Sequence, residues 1–218
     1  MRSPRLMILA SGGKEPGEGG SGFKNPVMAN RSGVLDATIV VVVSNHERGG
    51  VYTKASELGV DFEYSPKSRT AEDYRKLVQK YKPDYVALSG WISLVEGLDP
   101  RTTFNIHPGP LPGFGGKGMH GDHVHEAVLK AFDKRIVTYT EVTMHFATPR
   151  YDEGPVFFRT QVPIENTDSV ASLRTRVNAA EHKHQPRITD LVIHGRVSWD
   201  GMHPESLRLP MNYLEHLL

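Results

Sequence analysis

The sequence predicts an α/β fold: an open, mostly parallel, doubly wound (Rossmann-like) sheet with a mixed C-terminal part. Three observations predict it. Short apolar runs without polar alternation end in small or turn residues, as strands buried on both faces do. Segments with helical spacing lie between those runs. Past residue 140 the pattern changes to alternation, the mark of an antiparallel or mixed strand.

The first strand is Leu6–Ala10, stopped by Ser11-Gly12-Gly13. Ala37–Val43 is the second, rich in β-branched residues and closed by Ser44-Asn45. In Thr70–Tyr81, Ala71, Tyr74, Leu77, Val78 and Tyr81 share a helical face, Thr70 suits the N-cap, and Pro83 ends the segment. Tyr85–Leu88 and Thr103–Ile106 are the next strands, closed by Ser89-Gly90 and His107-Pro108. Asp122–Phe132 is helical, with Val124, Ala127, Val128 and Ala131 on one face. Val142, Met144 and Phe146 alternate with Thr143, His145 and Ala147, and Val156–Val162 is a further strand. Asn166-Thr167-Asp168 offers a cap for a long helix with Val170, Leu173, Val177 and Ala180 on one face.

The 218 residues suit a single domain, 1–218, expected to divide into a nucleotide-binding half (1–105) and a catalytic half (106–218). A net charge of +1 with no long basic run argues against a nucleic-acid partner. The absence of cysteine removes disulfides, thiol nucleophiles and cysteine metal sites. No apolar run is long enough for a signal core or a membrane span, so a cytoplasmic protein without membrane contact is expected.

Five segments could carry chemistry. In Phe104-Asn105-Ile106-His107-Pro108, residues two apart project together, so Asn105 and His107 share a side at the carboxyl end of a strand. These residues fit a reaction centre or a hydrogen-bonded strand end equally well. Tyr151-Asp152-Glu153-Gly154-Pro155 reads on its own as a turn. Gly12–Gly22 could aim backbone N–H groups at a phosphate, or be a surface loop. Six of its eleven residues are glycine, so its match to GxGxxG carries little weight. His120-x-x-His123-x-His125 lacks the spacing of a metal site, and no metal is expected. Ser89–Val95 continues past a strand end, as pocket wall or as core.

Taken together, these segments resemble the phosphoribosylglycinamide formyltransferase family, folate-dependent transformylases of purine synthesis. The resemblance runs from about Leu6 to Ile193 and rests on Asn105-x-His107-Pro108 followed by Tyr151-Asp152-x-Gly154-Pro155. Ser11-Gly12 closes the first strand, Gly118–Val128 lies between the two motifs, and Glu181-His182 with Pro186 comes late, all in the family's order. The resemblance implies the formyltransferase-type sheet and transfer of a formyl group from 10-formyltetrahydrofolate, a co-substrate, to the amine of glycinamide ribonucleotide.

It further implies that Asn105 donates to the developing oxyanion, that His107 moves protons, and that Asp152 favours the imidazolium of His107. Folate would lie between Ile92, Ser93, Leu94 and Val95 on one wall and Ala147, Thr148, Arg150 and Tyr151 on the other, with Arg69 and Asn105 nearby. Gly12, Gly13, Gly20, Ser21 and Gly22 would hold the substrate phosphate, Glu181 the glycinamide end. His145 would support the centre from behind. The partners implied are these two small molecules, with the chain a monomer or homodimer.

The chain departs from the family's compact phosphate loop: Lys14–Gly19 is inserted, and the usual asparagine is missing. Related chemistries remain open: hydrolysis of 10-formyltetrahydrofolate, formylation of another amine such as an amino sugar or initiator tRNA, or binding without turnover.

Overall fold

The apolar run at Leu6 forms β1 (Arg5–Leu9), and its side chains divide between two cores. Leu6 and Ile8 enter one hydrophobic cluster, Met7 and Leu9 the other. A strand buried on both faces needs apolar residues at every position, hence the unbroken run. The structure, a computed structural model, describes residues 2–66, 70–211 and 213.

After β1 come α1 (Ser21–Arg31), β2 (Thr38–Ser44), α2 (Gly50–Leu58), β3 (Phe62–Tyr64), α3 (Ala71–Tyr81), β4 (Tyr85–Ser89) and β5 (Thr103–His107). Then follow α4 (Asp122–Asp133), β6 (Tyr139–Phe146), β7 (Val156–Pro163) and α5 (Val170–Ile193). The strands make one seven-stranded sheet in the order β3-β2-β1-β4-β5-β6-β7. Pairing is parallel from β3 through β5 and antiparallel from β5 through β7. Tyr74 and Leu77 of α3 join the cluster on one face of the sheet. α1, α2, α4 and α5 contribute to the other, through residues such as Phe23, Val51, Val124 and Leu173. The chain builds outward from β1 to β3, then returns to β4 on the other side. That reversal opens a crevice beyond the carboxyl ends of β1 and β4.

The expected strands and the three expected helices form, and Thr70 caps α3 in a reciprocal box with Asp73. Three expectations are corrected. The N-cap of α5 is Ser169, which accepts from Ser172 N, whereas Asp168 accepts from Glu165 N and pairs with Arg176. β6 is buried on both faces except at Tyr139, because the 108–118 segment covers its polar side where alternation implies water. The glycine-rich stretch is not all loop, since Ser21 and Gly22 begin α1. The pattern also gave no sign of α2 or β3.

Phe146 is fully buried against the rings of Phe157 and Trp199. Phe146→Ala is expected to lower unfolding free energy by about 3–5 kcal/mol in denaturant titration, through lost burial and a residual cavity.

Candidate active site

β5 ends at the crevice with Asn105 and His107 on one side, as a two-residue period requires. Antiparallel pairing with β6 sets Asn105 opposite His145 and His107 opposite Thr143. His145 Nδ1 lies 2.8 Å from the Phe146 carbonyl, which only accepts, so Nδ1 carries a proton. Its Nε2 is then the acceptor for Asn105 Nδ2 at 3.1 Å. A carboxamide has two N–H hydrogens, so the second hydrogen of Asn105 remains for the cleft.

Asp152 comes from the turn between β6 and β7, in a left-handed conformation with φ of 56°. Its side chain is only 12% exposed. Oδ2 accepts from Gly116 N at 2.9 Å and lies 3.9 Å from His107 Nδ1, while Oδ1 is 3.4 Å from His145 Nε2. Burial pushes its carboxyl up, but His145, the His107 ring when protonated and the Gly116 N–H outweigh burial and hold it below its ordinary value. The turn depends on Gly154, where an added Cβ would lie 1.8 Å from the Phe146 carbonyl oxygen.

His107 Nε2 is 2.8 Å from the Phe114 carbonyl and therefore carries the proton, leaving Nδ1 to face Asp152. Asp152 favours the protonated form of this ring. Burial lowers the imidazole below 6.5 and prevails over Asp152 and the Phe114 carbonyl, so the resting ring is neutral near pH 7.

Two cavities meet at this floor. A cleft of about 460 Å³ is lined by Asn105, His107, Asp152, the glycine-rich loop and one face of α5. A slot of about 40 Å³ is lined by Ser93, Leu94 and Val95 on one side and Ala147, Thr148, Arg150 and Tyr151 on the other. Ile92 lines the larger cleft. Trp91 borders both and is buried, so wall and core are one role. Leu94 is tied at both ends: its N–H donates to Tyr151 Oη and its carbonyl accepts from Tyr74 Oη. Arg69 lies outside the described residues.

Arg174, Asn178, Glu181 and Gln185 project from α5 into the cleft at helical spacing. Of these, only Glu181 was anticipated; the polar stripe runs beside the apolar face marked by Leu173 and Val177. Burial without a counter-charge pushes the Glu181 carboxyl up to about 7. His125 is also in the cleft, buried, with Nδ1 lacking a hydrogen-bond partner among the described residues. His123 faces outward toward Glu126. Among the described residues no three His, Asp or Glu side chains gather as a metal group, and no helix is long and apolar enough to cross a membrane.

The glycine-rich loop divides in two. Gly13 is turned inward, its N–H donating to the Glu18 carbonyl and its carbonyl accepting from Gly50 N, and neither Gly13 nor Ser21 lines the cleft. Gly12, Gly20 and Gly22 do. Gly20 caps α1 in a left-handed conformation without a side-chain partner, so the first N–H groups of α1 lack intrahelical acceptors.

Comparison with known proteins places this geometry. The sequence model of a family described as formyl transferase matches residues 6–189. Phosphoribosylglycinamide formyltransferase of Schizosaccharomyces pombe is 30% identical over 200 residues, covering 81% of this chain and 91% of that protein. The chloroplastic phosphoribosylglycinamide formyltransferase of Vigna unguiculata is 29% identical over 214 residues, covering 93% of this chain. The chain spans 65% of that plant protein's length. The crystal structure of glycinamide ribonucleotide transformylase 1 from Symbiobacterium toebii superposes with a TM-score of 0.80 at 28% identity, covering 95% of this chain and 94% of that one.

Gly154→Ala is expected to destabilise the chain by about 1–3 kcal/mol, because the turn must open to admit the methyl group. Thermal unfolding of the purified variant checks this.

Proposed function

The chain belongs to the formyl transferase family, and from that premise we propose that it transfers a formyl group from 10-formyltetrahydrofolate to the amine of glycinamide ribonucleotide. The observation that carries this reading is the meeting of a narrow slot and a large cleft over Asn105, His107 and Asp152. Folate occupies the slot, with its formyl group toward Asn105. The acceptor occupies the cleft, its amine near Glu181. Slot and cleft share Trp91, Asn105, Tyr151 and Asp152, a narrow common wall that fits two substrates meeting at the reacting atoms. The cysteine-free composition is consistent with a cytoplasmic location.

The amine nitrogen attacks the formyl carbon, and the carbonyl electrons pass to oxygen. The free N–H of Asn105 stabilises that oxyanion, a donor already in place where charge develops. The attacking nitrogen gives up a proton to His107 Nδ1, whose neutral resting state leaves it able to accept one. Asp152 then stabilises the imidazolium. The bond from carbon to the folate nitrogen breaks, that nitrogen takes the proton, and formylated acceptor and tetrahydrofolate result. No thiol or acyl-enzyme is needed, because the substrate amine is the nucleophile.

The phosphate rests on the first N–H groups of α1, with Gly12 and Gly20 lining the approach. No acidic residue lies in the first turn of that helix to oppose it. Glu181 receives the glycinamide end as a carboxylate.

The direct test is mass-spectrometric detection of formylglycinamide ribonucleotide. Consumption of 10-formyltetrahydrofolate that proceeds equally fast without any acceptor amine sinks the reading in favour of hydrolysis. His107→Ala and Asp152→Asn are each expected to lower kcat by about 10²–10⁴-fold with the fold intact by circular dichroism. Near-normal turnover in either variant removes that residue from the centre. A pH series tests Glu181: its carboxyl titrates near 7, so acceptor affinity rises as pH increases through that value. Calorimetric titration should show this rise in the parent protein, and a flat, weaker response in Glu181→Gln.

A further inference from the structure

Three side chains form a row across adjacent strands: His107 on β5 is paired with Thr143 on β6, and Thr143 with Arg159 on β7. Directly opposed residues of antiparallel strands project to the same side. Glu141, two residues from Thr143, projects to that side as well. Each member of the row grips a different carbonyl of the segment that follows β5. Thr143 Oγ1 donates to Gly109 O at 2.8 Å, Arg159 Nη1 to Leu111 O at 2.8 Å, and His107 Nε2 to Phe114 O at 2.8 Å. The segment then reaches Gly116, whose N–H meets Asp152. Glu141 Oε2 lies 3.0 Å from the same Arg159 nitrogen and fixes its direction. The Glu141 side chain is 11% exposed and that of Arg159 43%, so the pair is shielded on the Glu141 side and open to water on the other.

We infer that Arg159, held by Glu141, is a positioning residue for His107. By fixing the Leu111 carbonyl, it keeps the Phe114 carbonyl on Nε2 and so leaves Nδ1 as the nitrogen facing Asp152. Neither Arg159 nor Glu141 lines the cleft or the slot, so neither meets a substrate. The mechanical link is short. Pro110 and Pro112 flank Leu111 and restrict the backbone, and Phe114 N bonds back to the Pro110 carbonyl at 2.9 Å. A displacement at Leu111 therefore passes to Phe114. Among the described residues, no side chain other than Arg159 hydrogen-bonds the backbone between Gly109 and Phe114. The inference rests on the proposed proton-transfer role of His107.

Arg159→Met removes both hydrogen bonds while keeping the aliphatic stem. It is expected to lower kcat about 10- to 100-fold while KM for both substrates changes less than about threefold, since geometry is lost and contacts are kept. Imidazole nitrogen NMR should show His107 leaving the Nε2–H tautomer for a mixture. The apparent pKa of His107 in the pH–rate profile should fall, because the Phe114 carbonyl favours the protonated ring. Arg159→Lys should recover most of the turnover, and Glu141→Gln should lie between.

An unmoved tautomer and profile in Arg159→Met, or a loss of thermal stability alone, overturns the assignment. If that variant does not fold, the same two readouts on Glu141→Gln decide in the same way. The tautomer measurement needs no substrate. A tautomer shift in a protein whose parent form transfers no formyl group would refute the function and leave the positioning intact.

Discussion

A carboxylate withdrawn from water must be met by donors, and the reaction centre is arranged to meet that demand at Asp152. Gly116 N–H, on the segment after β5, donates to it, and the imidazoles of His145 on β6 and His107 at the end of β5 lie beside it, 3.4 and 3.9 Å away. Bringing them together requires the antiparallel register that sets Asn105 opposite His145. It also requires the left-handed backbone of Asp152 and a glycine at 154, since a side chain there would strike the Phe146 carbonyl. The parallel half of the sheet sets out the crevice, and the antiparallel half supplies the charge.

Two carboxyl groups line one cleft in opposite electrostatic states. Asp152 accepts from Gly116 N–H beside two imidazoles and stays below its ordinary range, an anion at neutral pH. Among the described residues Glu181 has no such partners, and burial pushes it up to about 7, an anion only when conditions or a cationic ligand favour it. This separation divides the labour that two identical side chains could not share. In the proposed reaction Asp152 holds a proton acceptor in place, while Glu181 responds to what enters. A neutral His107 fits the proposed proton transfer, because a base already protonated could not take a proton from the attacking amine.

How far the sequence discloses this arrangement depends on the range of the interactions. β1, β2, β4 and β5 are legible because burial on both faces leaves continuous apolar runs. Asn105 and His107 follow from the two-residue period. α3 is legible to its cap, since Thr70 and Asp73 are local partners. Asp152 reads as a turn residue on local grounds, and its role emerges only through pairing with segments far along the chain. β6 alternates, yet both its faces are buried, because a distant loop covers the polar one. The cap of α5 falls on Ser169 because four successive residues from Asn166 can serve, and sequence does not rank them. The cleft-facing stripe of α5 hides beside a stronger apolar stripe. β3 is three residues long, and α2 starts at a glycine without a side-chain cap, so both lack the local signals that pattern reading needs.

The enlarged glycine-rich loop shows the same limit from the other side, where a signal is present but its cause is mixed. Glycine there suggests backbone aimed at an anion, but much of it is required by backbone packing against backbone. A Cβ on Gly50 would lie 1.9 Å from the Glu18 carbonyl oxygen, one on Gly49 would meet the Gly13 carbonyl, and one on Gly19 would meet the backbone of Gly12. The inserted residues thus fold into a plug seated against the start of α2, held by the bonds from Gly13 N to Glu18 O and from Gly50 N to Gly13 O. The N–H of Gly13 is consumed in that packing and unavailable to a ligand. What remains for an anion is the uncapped start of α1, which follows the plug directly and faces the cleft at Gly20 and Gly22. The anion site proposed above therefore draws its donors from the helix end, whose partial positive charge suits an anion.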